Sequence, residues 1–144
     1  MSGQPVGIPL PRLEADTEFF WTGGAHGELL IQRCRECGYY LHPPSYHCRA
    51  CGSSDVAPEA VSGRGAVFSY TINRQPFLAA YPPPYAIAIV ELEEQEGLQV
   101  TTRIVDCEPD DVRIGMPVSV RFEDHGDVFL PVFAPVPDGG AAGG

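Results

Sequence analysis

The chain has 144 residues, a length that suits one ordinary domain or two small lobes sharing a core. All nine of its basic residues are arginine and the net charge is -10, so the basic footprint that nucleic acid or an anionic membrane surface demands is missing. No apolar run reaches about eighteen residues and no basic stretch precedes an apolar one at the N-terminus, which predicts no membrane span, no signal peptide and a cytoplasmic protein with reduced thiols.

Fifteen prolines and sixteen glycines predict many turns and little helix. Residues 1–27 read as an arm followed by a short helix. The arm, to residue 12, is rich in Gly and Pro; Leu13 to Trp21 is the helix, with Gly23-Gly24 as its cap. Phe19, Phe20 and Trp21 crowd the helix end, where they either pack on the chain's own ribbon or meet a partner.

Residues 28–61 read as a metal ribbon. Glu28 to Cys34 is a strand that enters Cys34-Arg-Glu-Cys37. Tyr39-Tyr40-Leu41 leads out, Pro43-Pro44 breaks the chain, and Cys48-Arg-Ala-Cys51 follows. A CxxC turn sets two thiolates on one side of a tight loop, and two such turns supply a tetrahedral site. Gly38 and Gly52 follow the two pairs, where positive φ lets backbone N–H groups aim at sulfur. Zinc is the expected metal, although four thiolates also suit iron in a rubredoxin-type site. Four protein ligands leave no open position, so its role is structural. Arg33, Arg35 and Arg49 can offset the negative charge of such a centre; His42 and His47 are expected to be non-ligands.

From residue 62 to 135 the pattern becomes five strands. Ala66 to Arg74 alternates, with Phe68, Tyr70 and Ile72 on one face. Tyr85 to Glu93 places Ala86, Ala88, Val90 and Leu92 together, and Glu94-Gln95-Glu96-Gly97 turns into Leu98 to Val105. Asp110 to Gly115 is a turn or single helical turn. Val118, Val120 and Phe122 mark a fourth strand and Val128 to Phe133 a fifth, while 136–144 is a disordered tail. The fold class is therefore mainly β: an N-terminal helix, a rubredoxin-like ribbon and a five-stranded OB-fold barrel. The segment Phe77 to Tyr85, with Tyr81 before three prolines, holds apolar side chains on a stiff connector that covers the barrel end or meets a partner or acyl chain.

An OB barrel can stack single-stranded nucleic acid, but Arg74, Arg103 and Arg121 face Glu91, Glu93 and Glu123, so no basic groove forms. No catalytic triad or phosphate loop can be assembled. His26 and His125 read as exposed turn residues. Cys107, between Asp106 and Glu108, is a poor nucleophile because carboxylates raise a neighbouring thiol pKa.

The ordered set Phe19-Phe20-Trp21, Leu29 to Cys34, the two knuckles, Ser62 to Thr71, Pro84 to Leu92, Asp110 to Val118 and Leu130 to Phe133 resembles the acyl-CoA-associated zinc-ribbon/OB-fold family, long a domain of unknown function. It departs from that family at Arg49, where proline is usual. The resemblance implies a non-catalytic accessory subunit of a thiolase-fold enzyme, either a lipid-transfer-protein-type aldolase of steroid side-chain degradation or a thiolase. Acyl-CoA would be met through the complex. On that reading Phe19, Phe20, Trp21, Tyr39, Tyr40, Phe77, Tyr81 and Tyr85 are the contacts with partner or substrate channel. A stand-alone acyl-CoA binding or carrier protein is the alternative.

Overall fold

A computed structural model describes residues 17–74 and 84–136. Helix α1 (Glu18–Thr22) is short and runs into a 3-10 turn, Gly23–His26. Strands β1 (Leu29–Cys34), β2 (Tyr40–Leu41) and β3 (Val56–Val61) form an antiparallel sheet in the order β2-β1-β3. Strands β4 (Arg64–Asn73), β5 (Tyr85–Leu92), β6 (Gln99–Ile104), β7 (Pro117–Asp124) and β8 (Phe129–Pro135) close a barrel in the order β4-β5-β6-β8-β7. β6 meets β8 in parallel at Ile104 and Phe133, and the other barrel pairs are antiparallel. Among the described residues the fold is thus mainly β, with one short helix, a ribbon and a five-stranded OB barrel. Among the described residues no helix is long and apolar enough to cross a membrane.

The barrel interior follows the two-residue period of its strands. Ala86, Ala88, Val90 and Leu92 of β5 are buried, as are Val100, Thr102 and Ile104 of β6. Thr102 satisfies its hydroxyl on the carbonyl of Pro131 at 3.0 Å. One apolar cluster runs from Phe20, Leu29, Ile31 and Tyr40 through Val67 and Val90 to Phe133, so ribbon and barrel share a core.

Local details refine the sequence reading. Gly23 is the C-cap of α1 and donates its N–H to Phe19 O, but it is right-handed at φ -60; the left-handed residue is Gly27 at φ 73, which closes the 3-10 turn. His125 lies in the turn after β7 but is buried rather than exposed, with its N–H donated to Val128 O at 2.8 Å. A Cβ on Gly24 would stand 2.5 Å from Phe129 Cβ and 2.7 Å from Phe122 Cδ1, so the missing side chain there lets the turn lie against β7 and β8. In β4 a bulge falls between Val67 and Ser69. It keeps Tyr70 and Ile72 in register with the inward residues Ala88 and Ala86, although Tyr70 itself is 38% exposed, and it turns Phe68 out, 51% exposed. Val56–Val61 forms a strand despite Pro58, because it sits at the edge of its sheet, where a missing N–H is tolerated.

Candidate metal centre and apolar clefts

The two knuckles repeat one backbone design. Cys34 N–H donates to Tyr39 O at 2.9 Å and Gly38 N–H to Cys34 O at 3.0 Å; Cys48 N–H donates to Ser53 O at 2.8 Å and Gly52 N–H to Cys48 O at 2.8 Å. Gly38 and Gly52 hold φ of 83 and 81, the left-handed turn expected after each pair. Four sulfurs converge. Cys34 Sγ lies 3.6 Å from Cys51 Sγ, Cys37 Sγ lies 3.6 Å from Cys48 Sγ, and all four lie within 4.8 Å of one another. A metal at about 2.3 Å from each sulfur gives tetrahedron edges of about 3.8 Å. The donor set therefore fits a tetrahedral thiophilic cation and leaves it no open position.

Electrostatics at the site calls for that cation. The backbone amide of Cys37, 3.5 Å from Cys34 Sγ, is the main cause that brings the Cys34 thiol down to about 7. The Ser53 amide pulls Cys51 the same way, yet the sulfurs of Cys34, Cys37 and Cys48, with burial, push it up to about 12. Four thiolates this close cannot all ionise without positive charge between them. Among the described residues the converging group comprises the four cysteines and neither histidine: His42 packs its ring on Phe20 at 4.7 Å, and His47 is exposed.

Arg33 has a structural task. Its Nη1 reaches Glu59 at 2.6 Å, its Nε donates to Gly38 O at 2.9 Å, and its guanidinium lies 4.6 Å over the Tyr40 ring. It thereby ties the first knuckle to β3. Arg35 approaches Asp55 at 4.0 Å.

The aromatic candidates separate by burial. Phe20 and Tyr40 are interior, at 6% and 7% exposure. Phe19 and Trp21 are half-buried, and Tyr39 is 37% exposed. Phe77 and Tyr81 lie outside the described residues. Phe20 and Trp21 meet edge to face at 4.7 Å. Trp21, Tyr85, Ile87 and Leu130 line an apolar cleft of about 300 Å³, with Arg103 in its wall. That arginine pairs with Glu123 at 2.6 Å. A second cleft of about 340 Å³ shares Phe20 and Trp21 and is bounded by His42, Pro43 and Gln99. Ile87 and Leu130 stand on β5 and β8, and closure of the barrel brings them to one cleft with Trp21.

A four-thiolate ribbon fused through one core to an OB barrel defines a zinc-ribbon/OB-fold protein. Residues 21–57 match the model of the ChsH2 rubredoxin-like zinc ribbon domain, and residues 58–123 match that of the ChsH2 C-terminal OB-fold domain. The chain belongs to this DUF35 family. It is 38% identical over 128 residues to a probable enoyl-CoA hydratase alpha subunit of Thermomonospora curvata, covering 88% of this chain and 40% of that one. It is 35% identical over 131 residues to the 3-oxo-4,17-pregnadiene-20-carboxyl-CoA hydratase alpha subunit of Mycobacterium tuberculosis, covering 91% and 41%. The chain thus spans about 40% of the length of these hydratase subunits. A DUF35 domain-containing scaffold protein of Methanocaldococcus jannaschii is 39% identical over 104 residues, covering 69% of this chain and 72% of its own length. Among solved structures, a chain of an Ltp2-ChsH2(DUF35) aldolase superposes with a TM-score of 0.79 at 36% identity, over 88% of this chain and 98% of that one.

Proposed function

We propose that this chain is a non-catalytic accessory subunit of a thiolase-fold acyl-CoA enzyme, either a lipid-transfer-protein-type aldolase of steroid side-chain degradation or a thiolase. The observation that carries it is the likeness, over nearly the whole of both chains, to a chain of an aldolase assembly. Relatives named as scaffold protein and as hydratase alpha subunit support the same division of labour. Zinc, held by Cys34, Cys37, Cys48 and Cys51, would fix the ribbon and take no part in the chemistry. The protein would work in the cytoplasm, where its thiols stay reduced.

The clefts beside Trp21 suit the apolar end of a thioester, and Phe19, Trp21, Tyr39 and Tyr85 would supply contact with partner or channel. Phe20 and Tyr40 act from the interior by holding those neighbours. A chain at -10 repels the phosphates of coenzyme A, so the partner supplies the basic site. A stand-alone acyl-CoA carrier is the second reading, favoured by an apolar cleft of about 300 Å³, within the size of small-molecule sites.

Native mass spectrometry of the protein purified gently from its own cells tests both readings. An accessory subunit appears in a complex with a thiolase-sized chain and carries one zinc. Trp21→Ala should weaken that complex by about 2 kcal/mol. Equal co-purification of this variant removes Trp21 from the interface. A monomer carrying an acyl-CoA replaces the accessory reading with the carrier.

A further inference from the structure

A larger cleft, about 720 Å³, lies where β4, the β5–β6 hairpin and the segment before β7 meet. Two large apolar side chains stand open in its lining, Phe68 at 51% and Ile114 at 70% exposure. Backbone holds both in place. The β4 bulge turns Phe68 outward. Beside it, Val67 receives the Gly115 N–H on its carbonyl at 2.7 Å and donates its own N–H to Met116 O at 3.0 Å. Ile114 is thus presented from a turn pinned to the bulged strand, with Gly115 at φ 88 supplying the left-handed corner. Apolar groups fixed in this way lose little entropy when something covers them.

The rim of the cleft selects its occupant. Among the described residues Glu91, Glu93 and Glu96 line it against one cation, Arg64, which is paired with Glu93 at 2.9 Å. The Arg64 hydrogen bond keeps the Glu93 carboxyl below the ordinary carboxylate range, so that pair stays charged. Phosphate-bearing ligands meet repulsion here. A second copy would bring the same acidic rim against itself across a two-fold contact, in a chain already at -10. A surface with an apolar side chain to cover Phe68 and Ile114, and a cation to reach Glu96, matches both features.

We infer that this cleft docks a partner protein through an apolar segment flanked by arginine or lysine. The inference takes the identity of that partner from the accessory-subunit reading and adds a face distinct from the Trp21 clefts. The partner subunit from the native complex, purified, is the binding probe. Its Kd is measured for the wild-type chain and for Ile114→Asp, Ile114→Leu, Phe68→Ser and Glu96→Gln, each checked for wild-type melting and metal content. Docking here predicts that Ile114→Asp raises Kd by about 30-fold or more while Ile114→Leu stays near wild type. Glu96→Gln should flatten the salt dependence of Kd. Wild-type Kd for both Ile114→Asp and Phe68→Ser overturns this face and leaves the accessory reading intact. A wild-type chain that forms no complex removes both. A homodimer, seen by sedimentation and dissolved by Ile114→Asp, makes the occupant a second copy and also overturns the inference.

Discussion

His42 is a titratable ring kept in a largely apolar setting. It packs on Phe20, and its Nδ1 is buried with no hydrogen-bond partner among the described residues. Burial holds its pKa below the ordinary histidine value. The sign of the linkage follows. The unfolded chain takes up a proton near pH 6.5, while the folded chain resists it to lower pH. Stability is therefore full above about pH 6.5 and declines as pH falls toward the folded-state pKa. His42→Phe keeps a ring against Phe20 and removes the proton. Melting temperatures of wild type and variant, compared from about pH 7.5 to 5, should diverge on the acid side, with the variant falling less. Parallel curves would show that His42 protonates as readily folded as unfolded.

At the scale of elements, one side chain joins ribbon to barrel. Gln95, in the turn between β5 and β6, accepts the Tyr40 N–H at 2.8 Å and donates to Tyr40 O at 3.1 Å. Its amide thus continues the ladder of β2 from the barrel side. Gln95→Ala leaves both backbone groups of a buried residue without that partner, at a cost of about 1–3 kcal/mol. Hydrogen exchange at the Tyr40 amide should quicken more than at Val90, deep in β5; equal change at both sites would mean the loss is global. This clamp was illegible in Glu94-Gln95-Glu96-Gly97, which reads only as a turn, because its partner lies fifty-five positions away. The knuckles were legible, since each CxxC-Gly closes its own hydrogen bonds within six residues. Strand β5 was legible for a similar reason: Ala86, Ala88, Val90 and Leu92 alternate without interruption. Alternation misleads at Phe68, because a bulge adds a residue without any mark in the side-chain pattern. Pro58 and Glu59 hid β3, whose edge position is a property of the sheet and not of the segment. The clefts need the closed barrel, so neither Ile87 nor Ile114 announced itself.

The whole molecule is organised around a core that no ribbon–barrel boundary divides. Phe20, Leu29, Ile31 and Tyr40 pack in one cluster with Val67, Val90 and Phe133, while a smaller cluster of Cys34, Leu41 and Cys48, with Val56, lies at the knuckles. A structural metal contributes about 10 kcal/mol or more to folding of such a site. That is comparable to the net stability of an ordinary domain, about 5–15 kcal/mol. Stripping the metal with a chelator should therefore do more than loosen the loops around Cys37 and Cys51. Once the knuckles open, Leu29 and Ile31 lose the strand that carries them, and the barrel loses the apolar cover they supply. Calorimetry of metal-free protein is expected to show one transition at a markedly lower temperature, and Cys37→Ser should reproduce it without chelator. Two transitions, with the upper one at the temperature of the intact protein, would mean that the barrel stands without the ribbon. The shared cluster would then be a contact between lobes and not one cooperative unit.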